Sequence, residues 1–335
     1  MRVFRETTIP LHLSRPAALS ALALSGALIT AGGFDSVSRA ADWAEPQFDP
    51  APGSHWTIQT TESIQNNADG HVQNSLVTTK SDLAIEQKTA DGFTVSYTLR
   101  DAQFQGDPQT ASLVGPITKA MENVVVHATL APNGMPVRVD NFDEVLATVH
   151  SAIDQMTAPL GNSPRAGLLR AVATRMLVAD AQHAPRVYLD NLATLAVGQN
   201  TGLHPGEVHH SDEAIANPFS GGPIKSDTAL QIDGADPATG KVHYVRTQGF
   251  DPGATQALLR LLAEQQLKET DTPQEPDSVD KVLKDFAMSL NGRTEFDVEG
   301  GMTRSVKEED TATAAIPNHK IIKIDNKQTT VAPAS

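Results

Sequence analysis

The stretch Asp91-Gly92-Phe93-Thr94-Val95-Ser96-Tyr97-Thr98-Leu99-Arg100 decides the fold. Apolar side chains at 93, 95, 97 and 99 alternate with hydroxyl or charged ones at 94, 96, 98 and 100. An extended chain sends successive side chains to opposite sides, so this alternation reads as a strand with one buried and one wet face. Asp91-Gly92 just before it is a hairpin signal, because glycine tolerates the positive φ of a tight turn. Phe93, Val95, Tyr97 and Leu99 are therefore the candidate lining of whatever the sheet encloses.

Working backwards, Trp56, Ile58 and Thr60 alternate with Thr57 and Gln59, and Asn66 to Gly70 supplies turn residues before strands near 71–79 and 83–88. Forwards, Asp107-Pro108 opens a helical segment carrying Leu113, Ile117 and Met121, which Gly115-Pro116 should interrupt. Val124 to Val126 then leads through Pro132-Asn133-Gly134 into a hairpin ending near Val139.

From Asn141 the apolar period lengthens to 3.6: Phe142, Val145, Leu146, Val149, Ile153 and Met156 form one helical stripe, with Asn141 and Glu144 spaced as a capping box. Ser163-Pro164 starts a second helix with Leu168, Leu169, Val172, Met176 and Leu177 on its face. Pro185 starts a third. Residues 198–227 are rich in Gly, Pro, Asn and His and read as a loop. Strand patterns return at 229–232 and 242–247, followed by a helix from Asp251-Pro252 and an amphipathic stripe of Val279, Val282, Leu283, Phe286 and Leu290. The chain closes with strands near 294–298, 303–308 and 320–324, and the last ten residues should fray.

Two parts of this layout look alike. A strand at 93–99 leads to Asp107-Pro108, a helix and a hairpin at Gly134-Met135; a strand at 242–247 leads to Asp251-Pro252, a helix and a hairpin at Gly301-Met302. The expected organisation is a signal peptide at 1–40, an extended lead-in at 41–54, a strand-rich half at 55–140, a helical block at 141–198, a linker at 199–227, a second strand-rich half at 228–325 and a flexible tail at 326–335. The fold class is α+β, a curved, half-barrel-like antiparallel sheet covered by amphipathic helices and built from two pseudo-repeats.

The N-terminus indicates destination. Arg2, Arg5 and Arg15 flank an uncharged run from Ala17 to Ala31. That run is shorter than the ~20 residues a spanning helix needs. Ser38-Arg39-Ala40 then offers a small-x-small cleavage site, which favours a cleaved, secreted or periplasmic protein that is not membrane-anchored when mature. Cleavage after Ala40 removes four arginines and two acids and moves the formal charge from -14 to -16. So negative a chain makes a poor partner for nucleic acid. The 335 residues contain no cysteine, which excludes disulfides, thiol catalysis and a lipidated N-terminal cysteine.

The signal peptide, the successive long strands and the late strand-turn-strand Phe296-Asp297-Val298-Glu299-Gly300-Gly301-Met302 together resemble the periplasmic lipoprotein-carrier fold and related bacterial secreted proteins. That resemblance implies an acyl-binding hollow and no catalytic residues.

Chemical motifs are few. His204, Glu207, His209, His210 and Asp212 offer imidazole and carboxylate suited to Zn, Ni or Cu, with His183 as a further ligand, and they carry the rival reading of a metal-dependent hydrolase. Adjacent His209 and His210 face opposite ways on a strand, so such a site needs a turn there or a ligand from elsewhere, such as His183. Gly234 to Lys241 departs from a phosphate loop by an extra residue between the glycines and by Val242 in the Ser/Thr position. Ser278 and Lys281 lack the partner motifs of a serine acyl-enzyme. Glu308-Glu309-Asp310 reads as a solvated strand end. An outer-membrane barrel is opposed by the long amphipathic helices and by 4% aromatic content. The sequence thus leads to an exported, non-catalytic envelope protein without a cofactor, whose partner is a lipid or other apolar small molecule, or an envelope protein.

Overall fold

The computed structural model describes residues 44–334 apart from 198, 200, 216–223, 237, 270–277, 284–286 and 317–318. The expected signal peptide and its cleavage site lie outside the described residues.

The strands are β1 (His55–Ala68), β2 (His71–Thr89), β3 (Gly92–Gln105), β4 (Val125–Leu130), β5 (Pro136–Val139), β6 (Val208–Ile215), β7 (Ile224–Asp236), β8 (Lys241–Phe250), β9 (Ala287–Glu299), β10 (Met302–Ile316) and β11 (His319–Pro333). The helices are α1 (Pro108–Lys119), α2 (Phe142–Thr157), α3 (Pro164–Leu177), α4 (Ala184–Tyr188), α5 (Asp190–Ala196), α6 (Pro252–Glu269) and α7 (Ser278–Leu283).

Among the described residues the eleven strands form one open antiparallel sheet in the order β5-β4-β3-β2-β1-β11-β10-β9-β8-β7-β6, consistent with the curved sheet expected. The run β1 to β5 and the run β6 to β10 share a layout: five neighbouring strands in sequence order, with a helical excursion between the third and the fourth. Strand β11 enters between the runs, antiparallel to β1 on one side and to β10 on the other. Both strand-rich parts therefore belong to a single sheet.

Alternation sets which face is covered. On β1, Ile58, Thr60, Glu62 and Ile64 are buried while Gln59, Thr61 and Gln65 are exposed. The register carries that face across the centre of the sheet: Glu62 stands opposite Lys327 on β11, Lys327 opposite Glu308 on β10, and Glu308 opposite Thr294 on β9, which faces Arg246 on β8. One row further along, Ile64, Asp325, Asp310 and Gly292 align.

The covered face thus has zones. Its main apolar core joins Ile58, Leu83, Val95, Tyr244 and Phe296 to Val145, Val149 and Ile153 of α2 and to Leu169, Leu189 and Leu192 of α3–α5. A smaller cluster of Phe250, Leu290 and Ala312 packs against Ala254 and Leu258 of α6, and a third joins Ile64 and Val77 with Phe104. Between them runs a belt of charged and hydroxyl side chains.

Local chemistry explains several elements. Pro164 at the first turn and Ser163 Oγ, which accepts a hydrogen bond from the Ala166 amide at 3.2 Å, start α3 as expected. Asn141 instead serves the sheet: its Oδ1 accepts from the His127 amide at 2.9 Å and its Nδ2 donates to the Val125 carbonyl at 3.0 Å, so it closes no capping box with its own helix. Gly115-Pro116 lie inside α1 without ending it, because buried Val114 and Ile117 hold both sides of the proline in the core. Leu168 points to solvent, 47% exposed, while Ala166 and Ala173 take the inward positions on α3.

Other expectations are corrected. The strands expected at 71–79 and 83–88 are one strand, β2, whose register against β3 shifts at Lys80/Ser81. The 199–227 linker contains β6 and the start of β7. Leu290 belongs to β9, not to a helix, since its neighbours alternate in burial. The 326–335 tail is largely strand, because 326–333 complete β11 and pair with β1. The extended lead-in is fastened to the rest of the fold: Phe48 is buried against Phe93, ring centroids 5.0 Å apart, and Glu45 accepts hydrogen bonds from the Thr201 and Gly202 amides at 2.6 and 2.7 Å.

Candidate functional site

A cavity of about 130 Å³ opens where β1–β4 meet α1 and the α3–α5 segment. Apolar walls come from Val77 and Leu99 on the sheet, Ile117 on α1, Met121 and Val124 just after it, Val126 on β4, and Met176, Leu177 and Val187 on the helical block. Its other end is polar: Thr60 and Glu62 of β1, Lys327 of β11, Tyr97 of β3, and Asp190 and Asn191 at the start of α5.

The polar end belongs to the belt. Glu62 is 6% exposed. Burial first, then the nearby Asp325 carboxylate, pushes its carboxyl well above the usual range, with Lys327 opposing. Burial likewise raises Asp190, again with Lys327 opposing. For Lys327 burial works against the charge, but Asp190, Glu308, Glu62 and Asp325 outweigh it and hold the ammonium charged above the ordinary lysine range. Its Nζ lies 3.9 Å from Asp190 Oδ2. Deeper in the belt, burial and then the Glu308 charge push Asp310 up to about 8.

Two hydroxyls complete the site. Tyr97 OH and Ser81 Oγ hydrogen-bond at 2.8 Å inside the sheet, and Asn191 Nδ2 donates to Tyr97 OH at 3.5 Å. Burial raises the Tyr97 pKa, which keeps the phenol neutral. Tyr188 OH donates to the Leu177 carbonyl at 2.8 Å, tying α4 to the end of α3 on the cavity wall. The arrangement can hold an apolar body and hydrogen-bond its end.

The structure divides the four strand residues singled out above. Tyr97 and Leu99 line the cavity. Phe93 and Val95, 2% and 0% exposed, are packed into the main core and do not line this cavity.

His204, Glu207, His209, His210 and Asp212 are not brought together. Glu207 Oε2 accepts from the His204 amide at 3.0 Å in the turn before β6. His209 and His210 alternate along β6, opposite Leu230 and Ala229, so their rings leave on opposite faces. Asp212 pairs with Lys225 at 2.8 Å, and His183 pairs with Asp180 at 2.7 Å. Among the described residues no group of three or more His, Asp or Glu is placed to hold a metal ion.

Glu308 and Asp310, expected on a solvated strand end, face inward in the belt. Sequence reasoning also passed over Lys327, Glu62 and Asp190. A usable signal was present: Lys323-x-Asp325-x-Lys327 and Glu308-x-Asp310 carry complementary charges at period two, the spacing of one strand face.

A second hollow of about 450 Å³ lies beneath α6, bounded by Phe250, Leu259, Met288 and Leu290. Among the described residues its lining carries no charged side chain, and Thr255, Gln256 and Ser289 are its polar groups.

No protein family matches the chain, and no curated protein matches it. Among solved structures, one titled "Lipid-protein interactions in lipovitellin" overlaps 85% of this chain at 10% identity and a TM-score of 0.40. The chain spans about a quarter of that one, 26%. An outer membrane channel from Pseudomonas putida F1 overlaps 89% of this chain and all of its own length, at 10% identity and a TM-score of 0.17. At these scores neither overlay defines a shared fold. No described helix is long and apolar enough to cross a membrane. The chain is thus placed by its own architecture: an open antiparallel sheet with one covered face and an amphipathic cavity between sheet and helices.

Proposed function

We propose that this chain is an exported, non-catalytic envelope protein that binds a small apolar molecule, or the end of a longer one, in the cavity between β1–β4 and the helices. The observation that carries the reading is the composition of the cavity wall. Val77, Leu99, Ile117, Met121, Val126 and Leu177 form an apolar sleeve that ends on Lys327, Asp190 and Asn191. Ligand sites are commonly apolar clefts with a few placed polar groups that fix orientation. The volume is close to the roughly 150 Å³ of an apolar cavity that admits benzene. A six-carbon body therefore fits inside, and a longer tail would leave through the open side. The expected signal peptide supports an envelope location, which fractionation of cells expressing the full chain tests directly.

The binding reading is tested by mass spectrometry of an organic extract of the purified mature chain, beside a Val126→Phe variant whose larger ring fills the cavity. A stoichiometric apolar compound extracted from the parent and depleted in the variant supports it. Equal, trace amounts from both would leave the sheet as a partner-binding surface only.

A further inference from the structure

The two edges of the sheet are built differently. Strand β5, at one edge, is four residues long, begins with Pro136, which has no amide hydrogen to offer, and is packed by α4. Its register with β4 shifts at Thr129/Leu130. Short length, proline, a bulge and a covering helix are the devices that keep an edge from pairing with another strand. Strand β6, at the other edge, has eight residues, Val208–Ile215, with no proline, no lysine and an unbroken register against β7. Among the described residues no strand lies beyond it, and Val208, His209, His210 and Asp212 are exposed. An edge strand turns every second amide and carbonyl away from its one neighbour, so β6 presents a row of backbone donors and acceptors.

The side chains of β6 suit its own two-fold image. In an antiparallel pair, residues directly opposite each other project from the same face. A two-fold axis normal to the sheet and centred on Ser211 sets residues 208–214 of one copy against 214–208 of the other, and both covered faces stay on one side. His210 of each copy then stands opposite Asp212 of the other. These side chains are 69% and 64% exposed. His210 Nδ1 lies 4.0 Å from Asp227 Oδ1 on β7, beyond hydrogen-bond reach. Asp212 Oδ2 meets Lys225 at 2.8 Å, and a carboxylate with two oxygens accepts from a second donor at the same time, here an imidazole N–H. Moving the axis one residue either way sets Asp212 against Asp212 or His210 against His210, which loses both complementary pairs. Charge therefore selects the register centred on Ser211.

We infer that the β6 edge is an interaction surface for the β6 edge of a second copy of this chain, so that one sheet runs across a dimer. The inference stands apart from the proposed binding role, since the cavity lies among β1–β4. Sedimentation equilibrium of the purified mature chain tests it. A reversible, concentration-dependent dimer is expected below about 1 mM. His210→Asp, at an exposed position, sets like charges opposite each other twice and is expected to weaken the dimer at least about tenfold. Adding Asp212→His to that variant exchanges the members of each pair and is expected to restore the parent affinity. Should the double variant fail to fold, as read by circular dichroism, His210→Asp decides alone. A parent chain that stays monomeric up to about 1 mM, a dimer that His210→Asp leaves unchanged, or a folded double variant as weak as the single one overturns the inference.

Discussion

Glu62 on β1 and Lys327 on β11 stand directly opposite each other in the centre of the sheet, on its covered face and at the polar end of the cavity. Their pairing joins the first strand of the sheet to the last. It also marks the boundary between the apolar sleeve and the charged belt. A cation in this position is held by four carboxyls, so the belt and the cavity depend on the same side chain.

Replacing that cation exposes the dependence. Lys327→Met leaves Asp190, Glu62 and Glu308 without their shared counter-charge in a buried setting, and the loss of one partner of such a set costs about 3 kcal/mol. Urea denaturation of parent and variant measures it. A change below about 0.5 kcal/mol, typical of a surface substitution, would mean that the belt is solvated.

Stability should fall as the solution becomes alkaline. Asp310, facing Glu308, Asp325 and Arg246, is pushed up to about 8, whereas an unfolded aspartate titrates near its ordinary 3.8. Between those values the folded state holds a proton that the unfolded state releases. The contribution is therefore complete below about pH 4 and is lost as pH rises through 8. Thermal melts at pH 5, 7 and 9 should show a falling Tm, and Asp310→Asn should flatten the trend. A Tm that rises from pH 5 to 9 in the parent would contradict it.

The cavity predicts an asymmetry between two buried valines on neighbouring strands. Val126→Phe grows into open space, whereas Val95→Phe grows into a filled core, where overpacking costs roughly 1–3 kcal/mol. Val126→Phe should therefore be the better tolerated of the two in denaturation experiments. Equal losses would mean that no usable space lies beside Val126.

Two adjacent glycines in the β9–β10 turn separate strain from crowding. Gly300 and Gly301 both have positive φ, 60° and 71°. A Cβ on Gly301 would sit 2.4 Å from the Gln47 carbonyl oxygen of the lead-in, while on Gly300 only Arg304 comes within 4.0 Å. Both alanine variants carry the left-handed backbone penalty, about 1 kcal/mol. Gly301→Ala alone must also displace the lead-in, so it should be the less stable by a further ~1 kcal/mol or more. Parallel melts of the two variants check the order.

Much of the sheet was legible where its covered face is apolar. Phe93, Val95 and Tyr97 alternate with Thr94, Ser96 and Thr98, and the structure buries the first set in the core. The pattern fails where the covered face is polar. On β11 the inward positions are Lys323, Asp325, Lys327 and Thr329, so a test based on apolar alternation sees Asn-Lys-Gln-Thr-Thr from 326 on as a fraying end. On β10, Glu308 and Asp310 look solvated for the same reason. Half the candidate lining, Tyr97 and Leu99, was readable from β3. The remainder depends on register between β1 and β11, residues more than 250 positions apart, which local pattern does not encode. His209 and His210 illustrate the converse: a dense cluster in sequence is dispersed because strand geometry turns neighbours apart.

Ending the chain after Asp325 gives a sharp check of that revision. Residues 326–333 pair with 56–63 of β1. Their removal takes Lys327, Thr329 and Val331 from the covered face, and circular dichroism should show loss of cooperative unfolding. A truncated chain that melts like the parent would restore a dispensable tail.

The central claim is that the space between β1–β4 and the helices is a binding site. Titration of hexan-1-ol into the purified mature chain and into Val126→Phe, read by NMR, tests it most directly. Saturable binding at one site in the parent, lost in the folded variant, is the expected result; no saturable binding in the parent, or equal binding by Val126→Phe, would contradict it.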